Sequence, residues 1–120
     1  MSSTATRLRP DYLYTGEMLR VQVLESEAGA GATIVAAIAA VPTAFPTAIA
    51  PALTQSVSTT TGSPAAYTAT FTASTLGTEL ASYIGRRVYL HVYSILGGWY
   101  ETYPYEVTAT DPDLLPQLLG

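Results

Sequence analysis

Residues 66–73, AYTATFTA, alternate without a break: Tyr67, Ala69, Phe71 and Ala73 fall on one side of an extended chain, and Thr68, Thr70 and Thr72 on the other. This is the period of a strand buried on one face only. A strand of this kind needs a second layer against its apolar side, so Tyr67 and Phe71 are expected in a core and the threonines outside it. Two further segments carry the same constraint. Residues 87–95, RVYLHVYSI, and 99–109, WYETYPYEVTA, both read as strands, and Leu96-Gly97-Gly98 between them makes a tight connection. Together they predict a hairpin.

The remaining segments are weaker versions of the same pattern. Residues 17–24, EMLRVQVL, place Leu19, Val21 and Val23 opposite Met18, Arg20 and Gln22, and the glycines of ESEAGAG turn the chain over 25–31. Residues 33–41, TIVAAIAAV, are apolar on both sides, so periodicity alone does not separate helix from strand. The β-branched Ile34, Val35, Ile38 and Val41, bounded by Gly31 and Pro42, favour a strand. Prolines 42, 46 and 51 keep residues 42–52 irregular, residues 53–59 alternate as a short edge strand, and Gly62-Ser63-Pro64 forms a turn. Leu76, Leu80 and Ile84 then recur every four residues, with Ser74 or Thr75 as a cap and Gly85 as a left-handed stop. One or two helical turns are expected to cross there from sheet to sheet.

Six or seven strands at this spacing, with one short crossover helix, predict an all-β fold, an immunoglobulin-like antiparallel β-sandwich. The expected division is an N-terminal arm over 1–16, the sandwich over 17–110 and a C-terminal tail over 111–120. The arm holds Leu8, Tyr12, Leu13 and Tyr14 beside Pro10. The tail, DPDLLPQLLG, holds Leu114, Leu115, Leu118 and Leu119, which need a surface to cover.

Composition narrows the function classes. The chain has 120 residues, a single-domain length. Its formal net charge is -4, its five basic residues are all arginine, and no basic run is present. A phosphate-neutralising surface is therefore missing and nucleic acid is not an expected partner. The polar first residues contain no apolar signal segment, and the alanine-rich run over 28–40 is shorter than the roughly 20 residues a spanning helix requires. A soluble protein made in the cytoplasm, with no membrane partner, is expected. Only 12% of residues are charged against 48% hydrophobic, which leaves more apolar and hydroxyl surface than one small domain buries alone.

Catalytic constellations are missing too. Zero cysteines exclude thiolate chemistry and Cys metal sites, and the single histidine, His91, excludes a His-based metal cluster. His91 shares a side of its strand with Tyr89 and Tyr93 and reads as a surface or packed residue. Ser94 lacks a nucleophile elbow, and no phosphate-binding glycine loop occurs. The pairs Glu25/Glu27 and Asp111/Asp113 supply too few oxygens for calcium, while Glu101 and Glu106 point to opposite sides of one strand. No metal or other cofactor is expected, and no enzyme. The aromatic hairpin is the remaining signal: Trp99, Tyr103 and Tyr105 share one side, Tyr89 and Tyr93 line one side of the neighbouring strand, and Tyr100 falls opposite Trp99. Core packing, a protein interface and a sugar-stacking platform all use such residues.

The run GSPAAYTATFT, followed by STLGTEL and by YLHVYS with WYETYPYEVT, resembles the small immunoglobulin-like domains of tailed-bacteriophage virions over residues 14–110. Those serve as capsid decoration (cement) proteins, neck or connector components and baseplate modules. The resemblance implies a virion structural protein that binds and stabilises the assembled head. Its partner would be the major capsid protein, and the chain would form a homo-oligomer in the assembly. A neck ring contacting portal and neck proteins is the nearest alternative, and a carbohydrate-binding or adhesive module is the alternative from another class. Leu8, Tyr12, Leu13 and Tyr14 in the arm and Leu114, Leu115, Leu118 and Leu119 in the tail are the expected protein contacts. A chain with its own Met1 and two tails favours a stand-alone virion component over a repeat of an adhesin.

Overall fold

Local pattern sets the elements, and burial shows which side of each was chosen. The computed structural model describes residues 3–6, 12–44, 47–95 and 99–109, and over these the protein is mostly β. In chain order the elements are β1 (Ser3–Thr6), β2 (Tyr12–Tyr14), β3 (Leu19–Leu24), one turn of helix α1 (Glu25–Ala28), β4 (Ile34–Ala39), β5 (Thr54–Val57), β6 (Ala66–Phe71), α2 (Ala73–Glu79), β7 (Arg87–Ser94) and β8 (Tyr100–Thr108).

The strands form a three-stranded sheet, β1–β3–β6, and a five-stranded sheet, β2–β8–β7–β4–β5. Each sheet sends alternate residues into one shared core. Leu19, Val21 and Val23 of β3 and Tyr67 and Phe71 of β6 meet Ile34, Ala36 and Ile38 of β4, Val88, Leu90 and Val92 of β7, and Tyr105 and Val107 of β8. The registers keep these rows aligned, with Val21 opposite Ala69 and Leu90 opposite Tyr103. β5 is an edge strand, as its short alternation suggests, and β4 is buried on both sides along its whole length. That two-sided burial is why 33–41 shows no period.

Pairing is antiparallel except between β2 and β8, which run parallel with Leu13 beside Val107. The segment read from sequence as an arm therefore carries two strands, one in each sheet. Its lack of periodicity has a simple cause: β2 is three residues long and buries one of them, Leu13, at 2% exposure. Leu13 belongs to this chain's own core and is not available to a neighbour.

The crossover helix also differs from its reading in sequence. Thr72 caps it, its Oγ1 accepting from the Thr75 amide at 3.2 Å, because β6 ends at Phe71 and the first helical residue is Ala73. Leu76 and Leu80 are fully buried, but Ile84 is 48% exposed. The α-helix stops at Glu79 and a tighter turn over Ala81–Tyr83 follows, which rotates the four-residue row off the core. Gly85, at φ +84, then reverses the chain into β7, a backbone state that side chains with a Cβ rarely adopt.

Tyr67 fastens the two layers together. Its hydroxyl donates to the Gly29 carbonyl at 2.7 Å and accepts from the Ala32 amide at 3.1 Å. A phenol 2% exposed thus keeps both its polar functions satisfied and fixes the turn that launches β4.

Candidate interaction face

The hairpin that dominates the C-terminal half positions the most distinctive surface. Along β7, Val88, Leu90 and Val92 point to the core, so Tyr89, His91 and Tyr93 stand on the outward side, and the row continues to Ile95, 59% exposed. On β8 the outward set is Tyr100, Thr102, Pro104 and Glu106. Register places Tyr93 opposite Tyr100, His91 opposite Thr102, Tyr89 opposite Pro104 and Arg87 opposite Glu106. On the other flank, β4 sets the small outward residues Val35, Ala37 and Ala39 beside Tyr93, His91 and Tyr89. β2 adds Tyr12 and Tyr14 beside Glu106 and Thr108.

Three features give this face its structure. The rings of Tyr93 and Tyr100 stack, with centroids 5.8 Å apart at 18°. His91 is fully buried although it lies on the outward side. Its Nε2 lies 2.9 Å from the Val41 carbonyl oxygen, which only accepts, so Nε2 carries the proton and donates. In the neutral ring Nδ1 then accepts from the Tyr100 hydroxyl, with Thr102 Oγ1 at 3.2 Å as a further neighbour. One imidazole thereby ties β7 to β8 and to the chain just beyond β4. The outward β4 residues are also dry, Val35 and Ala37 at 6% and Ala39 at 0% exposure. Short side chains there leave room for the larger ones opposite.

Chemically the face presents rings and hydroxyls above an aliphatic floor. Among the described residues its cation is Arg87, exposed opposite its anion, Glu106. His91 is committed to a carbonyl and a phenol, so it holds structure rather than offering a base to a substrate. Among the described residues no group of three or more His, Asp or Glu side chains lies together in a way that would hold a metal ion, and no helix is long and apolar enough to cross a membrane. Trp99 packs against the core cluster with Tyr103, and the Tyr103 hydroxyl donates to Glu101 Oε1. The side shared by Trp99, Tyr103, Tyr105 and Val107 is thus the core side, with Trp99 and Tyr103 half-buried on it.

Of the contact residues expected from sequence, Tyr12 and Tyr14 are half-buried at the β2 margin of this face, Leu13 is in the core, and Leu8, Leu114, Leu115, Leu118 and Leu119 lie outside the described residues. Sequence reasoning placed His91 with Tyr89 and Tyr93 but missed its bond to Val41, fifty positions away. No local signal marks a carbonyl partner. The two-sided apolar run at 33–41 was the available hint that the outward side of this sheet is covered. No protein-family model, curated protein or solved structure matches the chain.

Proposed function

We propose that the chain is an immunoglobulin-like assembly module of a tailed-phage virion, a decoration protein that binds the outside of the assembled head and stabilises it. The strand order supports the immunoglobulin-like part. Sheets β1–β3–β6 and β2–β8–β7–β4–β5 divide the strands as such sandwiches do, with the N-terminal segment giving one strand to each sheet and a helix on the crossing from β6 to β7. The phage part rests on the resemblance of the AYTATFT, STLGTEL and YLHVYS segments described above.

The observation that carries an assembly role is the tyrosine face: among the described residues, a broad, nearly uncharged surface of half-buried rings. Interface cores are rich in such residues and poor in charge. A protein that binds only the assembled lattice stabilises it by mass action, and many copies multiply a modest free energy each. The leucines of the tail and Leu8 are the contacts to the shell in this reading.

Co-sedimentation with expanded heads of the cognate phage tests it. Saturable binding over the whole shell, with heads that withstand more heat when coated, is expected. Binding confined to one vertex would move the protein to the neck, and failure to bind heads at all would overturn the virion reading.

A further inference from the structure

We propose that residues 110–120 fold back on their own chain, setting Asp111 and Asp113 against the Arg86-Arg87 pair and the leucines that follow over Ile84. The inference goes beyond the assembly reading and gives the tail leucines a surface in the free protein. Chain geometry is the first argument. The end of β8 is bonded to the turn that precedes β7: the Gly85 amide donates to the Val107 carbonyl at 2.8 Å, and the Val107 amide donates to the Arg86 carbonyl at 3.0 Å. Residue 110 is three positions beyond Val107, and each extended residue adds about 3.3 Å of reach. Asp111 through Leu115 can therefore all return to that turn. The turn is also open. Ile84 is 48% exposed, and Arg86 and Arg87 are exposed beside it.

Charge is the second. In a chain of formal net charge -4, this turn sets two arginines side by side. Glu106 stands opposite Arg87 in register, which makes Arg86 the first partner of the tail. The Arg86 guanidinium lies over the Tyr83 ring, 5.2 Å from its centroid, and a ring contact of this kind leaves N–H donors to spare for a carboxylate. In Asp111-Pro112-Asp113 the proline favours an extended Asp111, and residues two apart in an extended chain share a side. Both carboxylates can thus meet the arginine pair together. Apolar area is the third. Exposed ion pairs alone are weak, so the charges set direction and the leucines supply the hold. Leu114 and Leu115 follow Asp113 directly, and they gain by leaving water for Ile84 and the half-buried Tyr83. A short tether raises the effective concentration of the two surfaces. Contact with a shell is then an exchange of one apolar surface for another.

The sequence contains no cysteine, so Gly120→Cys takes a single nitroxide spin label on the otherwise complete chain. The test reads which backbone amide signals of the isotope-labelled protein the nitroxide broadens. Selective signal loss over residues 81–87, with Ile95 at the far end of β7 untouched, is the expected result. Asp111→Arg combined with Asp113→Arg should return those signals, and adding Arg86→Glu to that pair should take them away again. Should the charge-reversed chain fail to fold, Ile84→Ser, at an exposed position, makes the same cut. Broadening spread evenly over the molecule or centred elsewhere overturns the proposal, as does broadening over 81–87 that survives both the aspartate reversal and Ile84→Ser. A mixture of spin-labelled copies with isotope-labelled copies lacking the nitroxide identifies the source of the tail. Signal loss in the mixture would give the surface to a second copy and overturn the intramolecular contact. Head binding plays no part in these readings, so failure of the virion reading leaves the inference standing.

Discussion

The two sheets turn outward surfaces of opposite character to the surroundings. On the three-stranded sheet, Arg20 and Gln22 alternate with core residues along β3, and Thr68 and Thr70 do so along β6. These are short or charged groups that water serves well. On the five-stranded sheet, the same parity brings out Tyr89, His91 and Tyr93 beside Tyr100 and Thr102, over an alanine floor that is itself dry. The backbone geometry of the two faces is alike, so the difference lies in side-chain size and bonding. Alternation separates the core side of a strand from the other side; it does not make the other side wet. Here one outward face carries exposed Arg20 and Gln22 beside half-buried threonines, and the other, with His91 and the β4 residues dry, is a second, shallower packing layer.

The sharpest way to break this contrast is to cut matching positions on the two faces. His91→Ala removes a fully buried ring and its bonds to the Val41 carbonyl and the Tyr100 hydroxyl, a loss of about 3 kcal/mol. Thr70→Ala, on the other face, should change stability by less than about 0.5 kcal/mol. Chemical denaturation of both variants measures the difference. Near-equal midpoints would mean that the tyrosine face contributes no packing of its own and is plain surface. His91→Gln, which keeps an amide donor for Val41, is expected to recover part of the loss.

Tyr67 provides an intermediate case, because its ring lies in the core between the two sheets. Tyr67→Phe keeps the ring in the core but removes the group that bonds Gly29 and Ala32. Leaving the buried Ala32 amide unpaired should cost about 1.5 kcal/mol, lowering the denaturation midpoint without changing the slope. A loss comparable to that of Thr70→Ala would show that water replaces the hydroxyl and that the turn before β4 is not held from β6.

How far the sequence disclosed all this depends on the range of the interactions. Strands β3, β6, β7 and β8 were legible because each buries one face and so alternates, and the core side of each followed from parity. The edge position of β5 followed from its short alternation. β2 was not legible, since three residues with one buried leucine leave no period, and its parallel pairing with β8 joins Leu13 to Val107 across the whole chain. The helix cap fell two to three residues early for a similar reason: Ser74 and Thr75 are equally good caps in isolation, and only the end of β6 at Phe71 selects Thr72. The tyrosines of the candidate face were visible as a cluster, but its dryness was not. The burial of His91 goes with its bond to the Val41 carbonyl, a contact the fold creates and no local pattern announces.

The smallest effect tests the boundary between the two environments, where β6 gives way to α2. Thr72 is the last member of the outward threonine row and also the first turn's cap, so it has a role that Thr68 and Thr70 lack. Thr72→Ala removes the acceptor of the Thr75 amide and should cost about 1 kcal/mol, whereas alanine at Thr68 should be nearly neutral, as at Thr70. Serine at 72 restores the acceptor and is expected to return most of the loss. If Thr72→Ala is as harmless as the other two, the helix is held by Leu76 and Leu80 in the core alone, and the whole threonine row is nothing but solvent surface. If the cap effect appears, the row divides at the point where the strand ends, and identical side chains two residues apart are shown to differ only through the backbone they serve.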